Sequence, residues 1–312
     1  MADFIGDVVL GRVNWNRYKA FPFEGVAIYR NRYPELEEER NVKGRLGALA
    51  ENVKKLEQKY GIPDPYLAIL AADGDAMGER ISRIESSDEH RRFSTRLAGF
   101  AQRVAAIVEQ HVGCLVYAGG DDVLAFLPVN EVLTCARQLH DLFISLIPEA
   151  TLSVGIAIGH FMEPLEDLLT HARKAERQSK LPDRNGLAVH LHPHSGAPVK
   201  IRQSWTNDPD RRLAQWSMLF RKEMISSKAA YAVHELARDY ENWPKGSDPG
   251  QAMLEDIVRL LSRKQLTEEA QLLLREQLKT VTTSKALKTL AEELLIARRI
   301  SSAELQAEGR RP

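Results

Sequence analysis

The sequence is short of everything that staples or anchors a chain. It has two cysteines in 312 residues, Cys114 and Cys135. Two thiols cannot build a cysteine-rich zinc ribbon, and such sparse usage fits a reducing cytoplasm. No apolar run approaches the roughly 18 residues that a membrane span needs. The opening MADFIGDVVLGRVNW lacks the basic-then-apolar order of a signal peptide. The expectation is a soluble cytoplasmic protein with no membrane partner. Net charge is missing too: 43 Lys and Arg balance 43 Asp and Glu. No overall basic field therefore advertises nucleic-acid binding, although local patches remain open. There is no low-complexity tract and no repeat. What is present is a 44% hydrophobic composition, enough for a real core, over a length that suggests two domains.

Residues 1–65 read as a mixed lead-in segment, with a helix through VKGRLGALAENVKKLEQKYG and a boundary turn at GIPDP. A regular alternation follows. YLAILAAD (66–73) is a short continuous apolar run, as in a buried strand. Residues 88–111 are amphipathic at helical spacing, and CLVYA and DVLAFLP are strands around a glycine corner. A helix over 129–146 follows, with Asn130 as its expected cap, then a strand at 151–159. A helix over 164–180 and a strand at 187–192 close the series. The order βαββαβ is that of a ferredoxin-like unit, here with one further helix and strand. From about residue 206 onward the apolar residues keep helical spacing only. The predicted fold is α+β: a ferredoxin-like palm over 66–205 and an all-helical bundle over 206–312.

The chemistry sits at the strand ends. YAGGDDVLAF places Asp121 and Asp122 at a corner made by Gly119 and Gly120. A bland hairpin needs one Asn or Asp; two adjacent carboxylates repel each other. The first strand ends in AADGDAMGERIS, with Asp73 and Asp75 around Gly74. Right-handed crossovers bring that strand end beside the hairpin tip. Four carboxylates then share one sheet edge, and a divalent cation, Mg²⁺ or Mn²⁺, is the natural counter-charge. Two such ions about 4 Å apart serve in-line phosphoryl transfer. SKLPDRN adds Lys180 and Arg184, four apart near the same edge, suited to a triphosphate.

Together, the strand-end acid, the GGDD hairpin, SVGIA at 153–157 and the K-x-x-x-R-N spacing resemble palm-type nucleotide cyclases of the GGDEF class. YLAILAADGDAMGERIS, VYAGGDDVLAFLP and DRNGLAVHLHPHSGAPVKIRQSW resemble more closely the second palm of the large subunit of type III CRISPR effector complexes, Cmr type. The resemblance covers roughly residues 60–312 and takes in the helical tail. It implies a nucleotidyltransferase that turns ATP into cyclic oligoadenylate when the complex senses target RNA. It implies Asp73, Asp121 and Asp122 as metal-binding and catalytic residues, with Asp75 as a further candidate ligand. Gly74, Gly119, Gly120, Lys180 and Arg184 would contact nucleotide. Expected partners are the other effector subunits, guide RNA and target RNA. Two departures are visible: the hairpin ends in Asp121-Asp122 rather than the cyclase pattern, and Asp183 stands where cyclases carry glycine before Arg-Asn. The family's nuclease, first palm and zinc-binding domains have no room in the lead-in. The expectation is a truncated or split subunit, or a stand-alone descendant, that gains activity on pairing with a second palm. A homodimer making a cyclic dinucleotide and a non-catalytic scaffold are the rival readings.

Other features read as structural. His140-Asp141 reads as a helix-surface pair, and His190, His192 and His194 as the polar face of an edge strand. Trp205, Trp216 and Trp243 read as helix-packing anchors, the two cysteines as core, and the Arg-Arg pairs at 211–212, 298–299 and 310–311 as solvated helix faces.

Overall fold

The computed structural model describes residues 28–39, 44, 46–241, 243, 250–262 and 268–309. The lead-in before Ile28, and the Arg310-Arg311 pair, lie outside the described residues. Helices α1 (Tyr33–Glu39) and α2 (Gly47–Tyr60) come first. The palm follows as β1 (Tyr66–Gly74), a short α3 (Met77–Ser82), α4 (Ser87–Gln110), β2 (Cys114–Gly119), β3 (Asp122–Pro128), α5 (Val132–Leu146), β4 (Leu152–His160), α6 (Leu165–Ser179), β5 (Gly186–Leu191) and β6 (Val199–Ser204). Then come α7 (Pro209–Arg221), α8 (Ser227–Glu241), α9 (Gly250–Leu261), α10 (Glu268–Leu278) and α11 (Ser284–Ala307).

The six strands form one sheet in the order β2-β3-β1-β4-β5-β6. Only β4 and β5 are parallel; every other pair is antiparallel. The four strands β2, β3, β1 and β4 give the expected ferredoxin-like arrangement. The central strand β1 is buried on both faces, which is why it reads as an unbroken apolar run. Ala68, Leu70 and Ala72 face a core built with α4 and α5, where Phe100 and Phe143 meet edge to face at 5.0 Å. Ile69 and Ala71 face a smaller cluster under α6, with Ala157, Leu168 and Ala172.

Two expectations need correction. A sixth strand, β6, pairs with β5, so β5 is not an edge. Its sequence VKIRQS interleaves charge with only two apolar residues and hides the strand. Asn130 does not cap α5: the cap position is Glu131, and the Asn130 amide donates to the Glu131 carboxylate at 3.0 Å. The large core also runs without a break from the palm into the helices, through Trp205, Trp216, Leu290 and Leu294.

The arginine pairs split. Arg211 is exposed, but Arg212 binds the buried Glu293 at 2.7 Å. Arg298 lies over the Tyr231 ring. Arg299 pairs with Asp64 at 2.5 Å and lies over the Tyr66 ring, pinning α11 to the start of β1. Trp205 and Trp216 are buried anchors, and Trp243 stacks on Tyr240. Cys135 is buried and its thiol is pushed up to about 12 by desolvation and then by Glu131, so it is inert packing. Among the described residues, no helix is long and apolar enough to cross a membrane.

Candidate active site

Strand register decides which side chains meet. Ala72 pairs with Val123, and Asp73 pairs with Ser153. The C-terminal end of β1 therefore lies between the β2–β3 corner and the start of β4. Gly119 pairs with Asp122, leaving Gly120 and Asp121 as a two-residue turn. Only Gly120 has a positive φ, +67°, as in a type II′ hairpin. Gly74 is required by contact: a Cβ there would lie 2.8 Å from Asp121 Cβ and 2.9 Å from Asp121 Oδ2. The Asp121 carboxylate thus rests on the end of β1, beside Asp73.

The charges at this edge are strongly coupled. Asp121 is half-buried, and its pKa is raised by desolvation and by the Asp73 and Asp122 carboxylates, with Lys180 opposing. Lys180 Nζ lies 2.6 Å from Asp73 Oδ2 and 2.7 Å from Glu176 Oε1. Burial opposes the Lys180 charge, but these bonds outweigh it and hold the pKa above its usual value. Arg173 donates to Asp122 Oδ1 at 3.1 Å. Arg173, Glu176 and Lys180 follow one another at helical spacing along α6 and just past its end. The i, i+3, i+7 pattern was available in the sequence, but only the register of α6 over β1 gives it meaning.

Two of the expected site residues behave differently. Asp75 is 2% exposed and faces elsewhere. Its carboxylate accepts from Thr151 Oγ1 at 2.7 Å, Ser153 Oγ at 2.8 Å and the Asn185 N–H at 3.0 Å. It latches the Lys180–Asn185 loop to β4 and leaves the set of available ligands. At Gly119 a Cβ would collide with the Tyr117 phenol, whose ring covers that backbone; Gly120 is open. Arg184 is half-exposed, 4.0 Å from Glu79. Among the described residues, no three His, Cys, Asp or Glu side chains already converge as a metal cluster. Asp73 and Asp122 face lysine and arginine instead.

The histidines in β5 and just after it form no such cluster either. His190 and His192 are buried, not on a polar edge face. His192 stacks on His171 of α6 at 3.6 Å, and His190 Nε2 meets Gln178 Oε1 at 2.5 Å. Burial, then neighbouring positive groups including Lys200, lower both pKa values to about 4. The unfolded chain takes up these protons near the ordinary 6.5, the folded chain only near 4. Stability is therefore complete above that range and falls as pH drops through it. Urea midpoints should hold steady above neutrality and decline in acid, and the H190Q/H192Q double variant should decline less steeply.

The architecture defines a class: a ferredoxin-like palm with an acidic strand-end site and a basic loop beside it. Within it, residues 66–188 match the family profile described as Cas10/Cmr2, second palm domain. The Cmr subunit Cmr2 of the Pyrococcus furiosus CRISPR system is 30% identical over 224 residues, 60% of this chain and 25% of that protein. The chain spans about a quarter of that relative's length. Among solved structures, the apo Csm1-Csm4 cassette superposes with TM-score 0.52 at 17% identity, covering 74% of this chain and 36% of that one. The apo type III-B Cmr-beta structure gives 0.52 at 13% identity, covering 84% and 40%. These likenesses carry the fold. Residues 66–188 are thus similar to the second palm domain of Cas10/Cmr2 proteins.

Proposed function

We propose that the chain is the nucleotidyltransferase palm of a type III CRISPR effector complex and makes cyclic oligoadenylate from ATP. The observation that carries this reading is the Asp121 carboxylate held against the end of β1, with Asp73 and Asp122 as its electrostatic neighbours and Lys180 2.6 Å from Asp73. Such an arrangement costs stability and has no packing role. The carboxylates of Asp73, Asp121 and Asp122 are oxygen donors of the kind a hard divalent cation such as Mg²⁺ or Mn²⁺ takes, and would hold it once Asp73 and Asp122 turn from Lys180 and Arg173. When bound, such a cation supplies charge that favours an attacking hydroxylate and a leaving pyrophosphate.

The chain's own residues then bind and orient. Lys180 exchanges its carboxylate partners for triphosphate oxygens, and Arg184, with its guanidinium half in solvent, joins it. Arg173 sits where it can meet phosphate beyond Asp122. The open backbone at Gly120 admits the nucleotide. In the reaction, a 3′-oxygen forms a bond to the α-phosphorus of a second ATP. The bond to the β-phosphate oxygen breaks, pyrophosphate leaves and the hydroxyl proton is lost. A donor and an acceptor nucleotide are needed, so a second palm, from a partner subunit or another copy, completes the site. Val116 and Tyr117, on the hairpin strand that leads to Asp121, are 42% and 49% exposed, which supports pairing at the hairpin.

The K180A/R184A variant tests the phosphate-binding role. Each lost charged hydrogen bond is worth about 1.5–3 kcal/mol, so ATP affinity should fall by at least about tenfold. Calorimetric titration with ATP and Mn²⁺ reads this directly. Unchanged affinity removes the loop from the site.

A further inference from the structure

The Lys180–Asn185 loop carries two consecutive non-glycine residues in the left-handed region, Arg184 at φ +58° and Asn185 at φ +45°. Side chains with a Cβ disfavour this region, so such a conformation persists only where its surroundings impose it. Asn185 is held at both its backbone groups and its side chain. Its N–H donates to Asp75 Oδ2 at 3.0 Å. Its C=O accepts from the Trp205 N–H at 2.9 Å. Its Oδ1 lies 3.0 Å from His140 Nε2. An amide oxygen only accepts, so this contact is a hydrogen bond in the tautomer with the proton on Nε2, and Nδ1 lies 3.3 Å from Asp141 Oδ1.

His140 is 4% exposed in the middle of α5, not on a helix surface. Its ring stacks on the Trp205 indole at 4.4 Å with a 28° tilt. Arg137, almost one turn earlier on α5, lies over the same indole at 4.7 Å. Arg137 also binds Asp208 at 2.9 Å and the Asp210 carboxylate, both at the start of α7. A continuous set of contacts therefore joins the first helix of the C-terminal region to the loop that holds Lys180 and Arg184.

We propose that His140 is a positioning residue. It fixes Asn185, sets how Lys180 and Arg184 are presented, and ties that presentation through Trp205 and Arg137 to the seating of α7. The functional half of this proposal rests on the nucleotide-binding reading above. Histidine suits the place because it combines a flat ring for stacking with a directed N–H. Phenylalanine keeps the stack and loses the bond; glutamine keeps a donor and loses the stack.

The test compares the full chain with His140→Phe and His140→Gln. Amide hydrogen exchange is followed over residues 180–186, beside ATP titrations with Mn²⁺ and melting temperature, and turnover is measured with the partner subunits, guide RNA and target RNA added. In H140F, exchange at Asn185 should quicken and KM for ATP rise by about fivefold. The turnover number should stay within about twofold, because the loop grips ground and transition states alike. H140Q should restore both exchange and KM. Wild-type exchange at Asn185 in H140F overturns the proposal. So does equal loosening in both variants with equal loss of melting temperature, which is ordinary core packing. If the wild type binds no ATP, the functional reading fails, while the exchange comparison still decides whether His140 positions the loop.

Discussion

If the chain is a nucleotidyltransferase as proposed, the D121A/D122A double variant should lose that activity by at least about a thousandfold, the scale for removing charge stabilisation at a reacting phosphate. It also keeps its fold, with a melting temperature equal to or above the wild type. The second half follows from the raised Asp121 pKa, which desolvation and the facing carboxylates cause. A carboxylate whose folded pKa is raised weakens the native state once pH exceeds its unfolded value. At neutral pH, removing it relieves that penalty. D121N alone should share the stability gain and the loss of activity. A residue kept at a stability cost marks function rather than folding. Product formation by mass spectrometry and thermal melts at pH 7 check the two halves separately. A double variant that melts much lower would make these acids structural.

G155A should be the most damaging single methyl in the palm. Gly155 lies on β4 between Ala71 of β1 and Ala188 of β5. A Cβ there would stand 2.0 Å from the Glu176 backbone nitrogen and 2.4 Å from the Ala175 carbonyl carbon. The obstacle is helix backbone, so no side-chain rotation relieves it. Helix α6 must lift from the sheet, and α6 carries Arg173 and Glu176 and leads directly into Lys180. Overpacking typically costs about 1–3 kcal/mol, and a clash with helix backbone belongs at the upper end of that range. Urea denaturation should report that loss, with ATP affinity falling alongside it. G99A, in α4 with nothing within 4 Å of its added methyl, is the control and should be neutral or slightly stabilising. Wild-type stability in G155A would mean that α6 does not sit on β4 as described.

Much of this was legible in the sequence because it depends on local chemistry. The unbroken apolar run of β1, the glycine corner and the helix-period segments each name their element. Their order alone places Asp73 beside Asp121. What escaped depends on where elements stop. Alternation would put Asp73 and Asp75 on one face, but β1 ends at Gly74 and the chain turns at Ala76, φ +57°. Asp75 swings into the interior and becomes a latch. β6 hides because only Ile201 of it is buried and charged or polar residues fill most of the rest. Arg173, Glu176 and His140 look like ordinary helix residues until the packing of α6 and α5 shows what they face. Asn185 carries no sequence signal of its left-handed backbone beyond the tolerance of asparagine for it.

The most direct measurement is product analysis with labelled ATP and Mg²⁺ or Mn²⁺. The protein is assayed alone and with candidate partner subunits plus guide and target RNA, beside D121A/D122A. The account predicts cyclic oligoadenylate that requires the partners and disappears in the double variant. A cyclic dinucleotide from the protein alone would contradict the assignment to a CRISPR complex. No product under any condition, with partner binding intact, would contradict catalysis itself.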